Sequence, residues 1–174
     1  MVRDIKEYSY GVVEGKTHSL KWGDNFTLMC ENKDQFPYAE KCLAYLDTLC
    51  KEMEERLCKY LLRYYKDYEK YFDDDELAQL GTIDMTTIID HICIDTLIIG
   101  NECRQDRIEF HIEGSCDWEP EHGLEITISD NKILYVGSYE DYGPNTDRLQ
   151  YALDNYGYYD PTSEDLHMNY VDKE

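Results

Sequence analysis

Apolar and polar positions change period twice along the chain. Tyr8–Val13 and Ser19–Trp22 alternate large apolar with polar residues, with Gly15 between them. Trp22-Gly23-Asp24-Asn25 is turn-forming and Phe26–Cys30 resumes an extended apolar run, which predicts two or three antiparallel strands within residues 1–35. From Phe36 to Phe72 the spacing becomes three and four: Ala39, Cys42, Leu43, Leu46, Leu49, Cys50, Met53, Leu57, Tyr60, Leu61, Tyr64, Tyr68 and Tyr71 form one stripe. Glu40, Lys51, Glu55, Lys59, Arg63 and Lys66 lie opposite, and Pro37 suits a first helical turn. The spacing predicts one long amphipathic helix over 36–72, roughly 50 Å at about 1.5 Å per residue.

Asp73-Asp74-Asp75-Glu76 stops that helix, and Asp73 with Glu76 reads as a capping box for a short helix over Leu77–Leu80. A second brief helical turn is predicted from Asp84 to His91. Beyond Ile92 the period falls to two. Ile92–Ile99, Arg107–Glu113, Leu124–Ile128 and Ile133–Gly137 read as strands, with turns at Gly100-Asn101 and Asp130-Asn131. Ile108, Phe110 and Ile112 share one face, while Glu109, His111 and Glu113 share the other, which a solvent-facing side of an antiparallel meander explains. Residues 139–174 read as an acidic, tyrosine-rich tail, helical from Thr146 to Asp154. The expected architecture is a single α+β domain over 1–174. N-terminal strands (1–35), one long helix (36–72) and short helices (73–91) precede an antiparallel meander (92–138) packed on the long helix, and the tail follows.

Charge sharpens this picture. The chain carries 38 acidic and 17 basic residues in 174, a formal net charge of -21. Residues 1–72 hold 13 acidic and 12 basic side chains, whereas residues 73–174 hold 25 and 5. Nucleic-acid phosphates and anionic lipids both require Lys or Arg, so neither is an expected partner. Eight of the 17 tyrosines lie between Tyr135 and Tyr170, among those acids. Acids that steer encounter and tyrosines that anchor it suit a basic protein partner. A merely solvated acidic face is the plainer alternative.

Seven cysteines are present, an odd number with no C-x-x-C pair, and no apolar run follows Met1-Val2-Arg3-Asp4. Reduced thiols and a cytoplasmic location are the expectation, without a membrane span or a zinc site. Cys42, Cys50 and Cys58 recur every eight residues, roughly on one face of the predicted helix, as small buried hydrophobes.

The densest polar constellation is Cys116-Asp117-Trp118-Glu119-Pro120-Glu121-His122-Gly123-Leu124, between two predicted strands. Pro120 fixes φ and Gly123 permits a tight backbone, holding Glu121 and His122 in a sharp turn. A carboxylate beside an imidazole suits acid–base chemistry or, with Glu119, metal ligation. The structural alternative has Glu121 and His122 pinning the turn while Trp118 packs on the core. The turn resembles one found in a family of uncharacterised bacterial domains, a Trp–acid–Pro–Glu–His–Gly–Leu motif between strands, the second ending near Val136-Gly137. That similarity spans residues 84–137, and because such domains occur beside toxin-immunity repertoires it implies a binding role.

Nucleotide-binding glycine loops, nucleophile elbows, H-E-x-x-H and calcium-loop patterns do not occur in the sequence. The expectation is therefore a non-catalytic, cofactor-free acidic module of immunity type that masks a basic partner such as a nuclease toxin. Its candidate contact residues are Trp118, Glu119, Glu121, His122, Tyr139, Glu140, Asp141 and Tyr142. The alternatives are a small hydrolase or metal-dependent enzyme built on Glu121 and His122, and an oligomerisation module built on the long helix.

Overall fold

The apolar stripe over 36–72 folds as two helices, not one. In the computed structural model, which describes residues 1–147, 150 and 169–172, α1 spans Phe36–Asp47 and α2 spans Lys51–Glu69. Helical geometry fails at Thr48 (φ −123°, ψ 31°) and Cys50 (φ −67°, ψ 153°). The Thr48 hydroxyl donates to the Ala44 carbonyl at 2.7 Å, and such a back-bond on a β-branched residue weakens the helix locally. The break redirects α2. Cys42 is buried, Cys58 half-buried and Cys50 exposed, so the three cysteines do not share a face.

Seven strands form one sheet in chain order: β1 (Arg3–Glu7), β2 (Val13–Ser19), β3 (Gly23–Cys30), β4 (Ile92–Ile99), β5 (Glu109–Cys116), β6 (Leu124–Ser129) and β7 (Lys132–Gly137). Every neighbouring pair is antiparallel except β3 and β4, which run parallel with Leu28 opposite Leu97. A parallel pair needs a long crossover, and α1, α2 and α3 (Asp74–Leu80) occupy it. The fold remains α+β. The expected antiparallel meander on one long helix is overturned by a mixed seven-stranded sheet that incorporates the N-terminal strands and carries three helices.

Two strands predicted near the N-terminus are turns. Gly11, at φ 91°, donates its N–H to Tyr8 O at 3.0 Å, and the alternating Tyr8 and Tyr10 form a stacked ring pair. Ser19–Trp22 closes the β2–β3 hairpin: Ser19 Oγ accepts the Trp22 N–H at 2.8 Å and the Asp47 carboxylate accepts the Leu20 N–H at 2.9 Å. The capping box before α3 forms as the sequence predicts, Asp73 Oδ1 accepting the Glu76 N–H at 2.9 Å.

One sheet face and the apolar stripes of α1 and α2 make the core. Phe26, Leu28, Leu97, Phe110, Ile112, Ile126, Ile128 and Val136 meet Ala39, Cys42, Leu46, Leu57, Leu61 and Tyr64 there. All seven cysteines are free, and Cys30, Cys42, Cys103 and Cys116 are buried as small apolar groups. Asn169 and Tyr170 run along the outer edge of β7, where the Tyr170 N–H reaches Val136 O at 3.1 Å. The helix predicted at 146–154 lies largely outside the described residues.

Candidate functional site

The Trp118–Leu124 turn joins β5 to β6 and is built from the inside out. Trp118 is 1% exposed, edge-on to Tyr64 and Tyr65 of α2 at centroid distances of 5.6 and 6.0 Å. Glu119, also buried, curls back so that Oε1 accepts the Glu121 and His122 N–H groups, each at 3.0 Å, and lies 3.2 Å from His122 Nδ1. Burial opposes ionisation of Glu119, but the His122 N–H, the Tyr68 hydroxyl and the His122 ring outweigh it and hold the carboxyl below its ordinary range. Gly123 sits at φ 67°, where a Cβ would lie 2.6 Å from Gly114 O. The pin is therefore Glu119, whereas the sequence reading gave that task to Glu121 and His122. Both of those side chains are exposed.

Tyr139, Glu140, Asp141 and Tyr142 belong to a strap, residues 138–147, that leaves β7 and crosses the sheet face opposite the helices. Its start meets the turn: the Tyr139 N–H donates to His122 O at 3.2 Å, and the Tyr64 hydroxyl donates to Gly123 O at 2.9 Å and lies 3.1 Å from Ser138 Oγ. The strap is held down by two buried carboxylates. Glu125 accepts the Glu140 and Tyr142 N–H groups at 2.8 and 2.7 Å. Glu109 accepts from Asn145 Nδ2 at 2.8 Å, the Arg104 N–H at 2.8 Å and Ser129 Oγ at 3.0 Å. Burial opposes ionisation of Glu109 too, yet Arg104, Asn145 and Ser129 keep its carboxyl below the usual range.

The expected wet face of the meander is thus covered. Glu109 is 0% and His111 1% exposed, because the strap lies over them, Asn145 Nδ2 reaching Glu109 and Asp141 Oδ1 lying 3.9 Å from His111 Nε2, while Tyr142 is buried against Tyr135. Strand register places His111 opposite Thr127 and Glu113 opposite Glu125. His111 Nδ1 has no hydrogen-bond partner; it lies 3.6 Å from Glu125 Oε1, and Nε2 lies 3.9 Å from Asp141 Oδ1. Asp141 adopts the left-handed backbone at φ 59°, which Asp tolerates through its short polar side chain.

A negative cluster surrounds this histidine. Burial first, then Asp95 and Asp141, push Glu113 above its ordinary range. Burial also raises Asp141, with Glu125 and Glu102 adding to it against the opposing pull of His111. Burial followed by Asp141 and Glu113 raises the Tyr139 hydroxyl. Among the described residues no Lys or Arg pairs with Asp95, Glu102, Glu113 or Asp141, although Arg104 and Arg107 serve Glu109 at the far end of the face.

The structure therefore divides the eight candidate residues. Trp118 and Glu119 build the turn, Glu121 and His122 project from it, Glu140 and Tyr142 anchor the strap through their backbone, and Tyr139 and Asp141 border the acidic cluster. Sequence reasoning missed His111, Glu113 and Glu125 as a group. The signal was available: acids and His111 alternate on β5, and the neighbouring strand places Glu125 among isoleucines. No group of three or more His, Cys, Asp or Glu side chains converges to hold a metal among the described residues.

No described helix is long and apolar enough to cross a membrane. No curated protein sequence and no solved structure matches the chain. A family match extends over residues 3–143, taking in the strands, the helices, the Trp118–Leu124 turn and the start of the strap. The chain belongs to the family described as Domain of unknown function (DUF6985).

Proposed function

We propose that this protein is a non-catalytic acidic binding module of immunity type, which masks a basic protein partner such as a nuclease toxin in the cytoplasm. One observation carries the reading. Asp95, Glu102, Glu113 and Asp141 gather on one face with no Lys or Arg partner among the described residues, and partial desolvation together with the neighbouring acids raises Glu113 and Asp141. Like charges held together destabilise the free protein. A cation brought by a partner relieves that repulsion, so the same residues that cost stability favour association.

The enzymatic alternative on Glu121 and His122 loses ground, because Glu119 Oε1 is taken up by backbone N–H groups and both neighbouring side chains are exposed. The oligomerisation alternative loses its premise, since the predicted long helix is two helices whose apolar faces are buried on the sheet.

The test is affinity capture from host lysate at low and high salt, with wild type and an Asp95→Lys/Glu113→Lys/Asp141→Lys variant as baits. Basic proteins held at low salt by the wild type, and lost at high salt and by the variant, are expected. Identical capture by both baits overturns the reading.

A further inference from the structure

We propose that a partner's arginine side chain docks on the strap side of the sheet, its guanidinium between Glu113 of β5 and Asp141 of the strap, above the buried imidazole of His111. This proposal rests on the basic-partner reading and specifies the contact.

The geometry supplies the argument. Glu113 is half-buried, and its carboxylate makes no hydrogen bond or ion pair with any described residue. Its cross-strand neighbour Glu125 is fully buried and already committed to two strap N–H groups. Two carboxylates directly opposite on adjacent strands repel, so the pair persists at a cost that an outside cation relieves. Asp141 completes the opening. Its side chain is 63% exposed, and the Tyr139 hydroxyl donates to it at 3.4 Å.

His111 is the second observation. Its side chain is 2% exposed, between Glu125 and Asp141, and Nδ1 is buried without a hydrogen bond. At 3.6 and 3.9 Å from the two carboxylates, the imidazole is too distant to hydrogen-bond either one. The imidazole therefore occupies none of the hydrogen-bonding capacity of either carboxylate.

The chemistry selects the ligand. A divalent metal requires three or more converging donors, which the described residues lack. A lysine ammonium is a compact, strongly hydrated point charge, whereas a guanidinium is a planar fork that reaches two separated carboxylates and stacks on an aromatic ring. Tyr139, half-buried at the rim, offers that ring.

The experiment uses the full chain and two synthetic probes, an acetylated (Gly-Arg)4 amide and its (Gly-Lys)4 counterpart, at low ionic strength. Binding is read by calorimetry and by the side-chain resonances of 15N-histidine-labelled protein. The arginine peptide is expected to bind more tightly than the lysine peptide and to shift the His111 imidazole. Glu113→Gln and Asp141→Asn each weaken it about fivefold, a typical effect of removing one exposed charge. An Asp74→Asn/Asp75→Asn control on α3 leaves affinity unchanged. Melting curves confirm that every variant folds; Asn keeps the left-handed backbone that Asp141 requires. Peptide binding that the control weakens as much as the site variants, with His111 silent, overturns the arginine site and leaves the broader acidic reading standing. A His111 shift by calcium or zinc alone at micromolar concentration also overturns it. Failure of both peptides to bind overturns the site and the basic-partner reading together.

Discussion

The Tyr142 N–H donates to Glu125 Oε1 at 2.7 Å, while Oε2 of the same carboxylate takes the Glu140 N–H at 2.8 Å. One buried side chain on β6 thereby fixes two backbone groups of a strap 15 to 17 residues further along the chain. Hydrogen bonds from backbone N–H groups to a buried carboxyl are strengthened by the low dielectric around them.

Glu125→Gln retains the shape but replaces one acceptor oxygen with a donor, leaving a strap N–H without its partner. A loss of about 1.5–3 kcal/mol is expected. Hydrogen exchange should show the strap amides from 138 to 145 losing protection before those of α2. Equal loss in both would show that Glu125 supports the whole fold and not the strap.

Tyr64 joins α2 to the turn and to the strap at once, through Gly123 O and Ser138 Oγ. Tyr64→Phe keeps the ring contacts with Trp118 and Tyr170 and removes only the hydroxyl, for an expected cost of about 1–2 kcal/mol in urea unfolding. Trp118→Ala opens a large cavity beneath the same turn and should cost about 3–5 kcal/mol. A smaller effect from Trp118→Ala than from Tyr64→Phe would contradict the packing of Trp118 against Tyr64 and Tyr65.

Gly123→Ala meets two penalties together, a positive φ and a Cβ 2.6 Å from Gly114 O. The obstruction is backbone of the paired strand, which cannot step aside without breaking register. Destabilisation well above the ordinary cost of about 1 kcal/mol for alanine at positive φ is expected, measured by chemical denaturation. Gly11→Ala, at φ 91° with open space around it, should show only the backbone penalty.

Stability should respond to pH in two opposing directions. Glu109 and Glu119 are held below their ordinary value of 4.5 when folded, so the unfolded chain binds more protons there. Their contribution is present above pH 4.5 and is lost as acid carries the pH down through the folded values. Glu113 and Asp141 are raised in the folded state, so they oppose folding increasingly as the pH rises through the carboxylate range. A Glu113→Gln/Asp141→Asn variant should therefore melt above wild type at pH 7 and converge with it below about pH 3.8, the ordinary Asp value. A variant less stable than wild type at pH 7 would show that both acids are satisfied.

Much of the local structure was legible without coordinates. Asp73 and Glu76 cap α3 because a capping box is a contact between residues three apart, and β4 to β7 follow alternating residues bounded by turn formers. The helix break at Thr48–Cys50 was not legible. The apolar stripe continues through it, and no Gly or Pro marks a departure settled by Thr48 back-bonding and by two helices seeking different parts of one sheet. Tyr8–Gly11 alternates like a strand, but its two tyrosines stack on each other across a turn.

The candidate site divides along the same line. The turn's sharpness is written in Pro120 and Gly123, and the acidic excess of the second half is written in composition. Alternation showed only that Glu109, His111 and Glu113 share a face. Whether that face meets water depends on a strap that returns across it, held by Glu125 and Glu109 through partners up to 36 residues away. Sequence determines local geometry because short-range sterics and hydrogen bonds act between near neighbours. Only the tertiary structure decided which acids are buried, which are satisfied and which stand beside one another, because each of those properties belongs to pairs of residues that the fold brings together from distant parts of the chain.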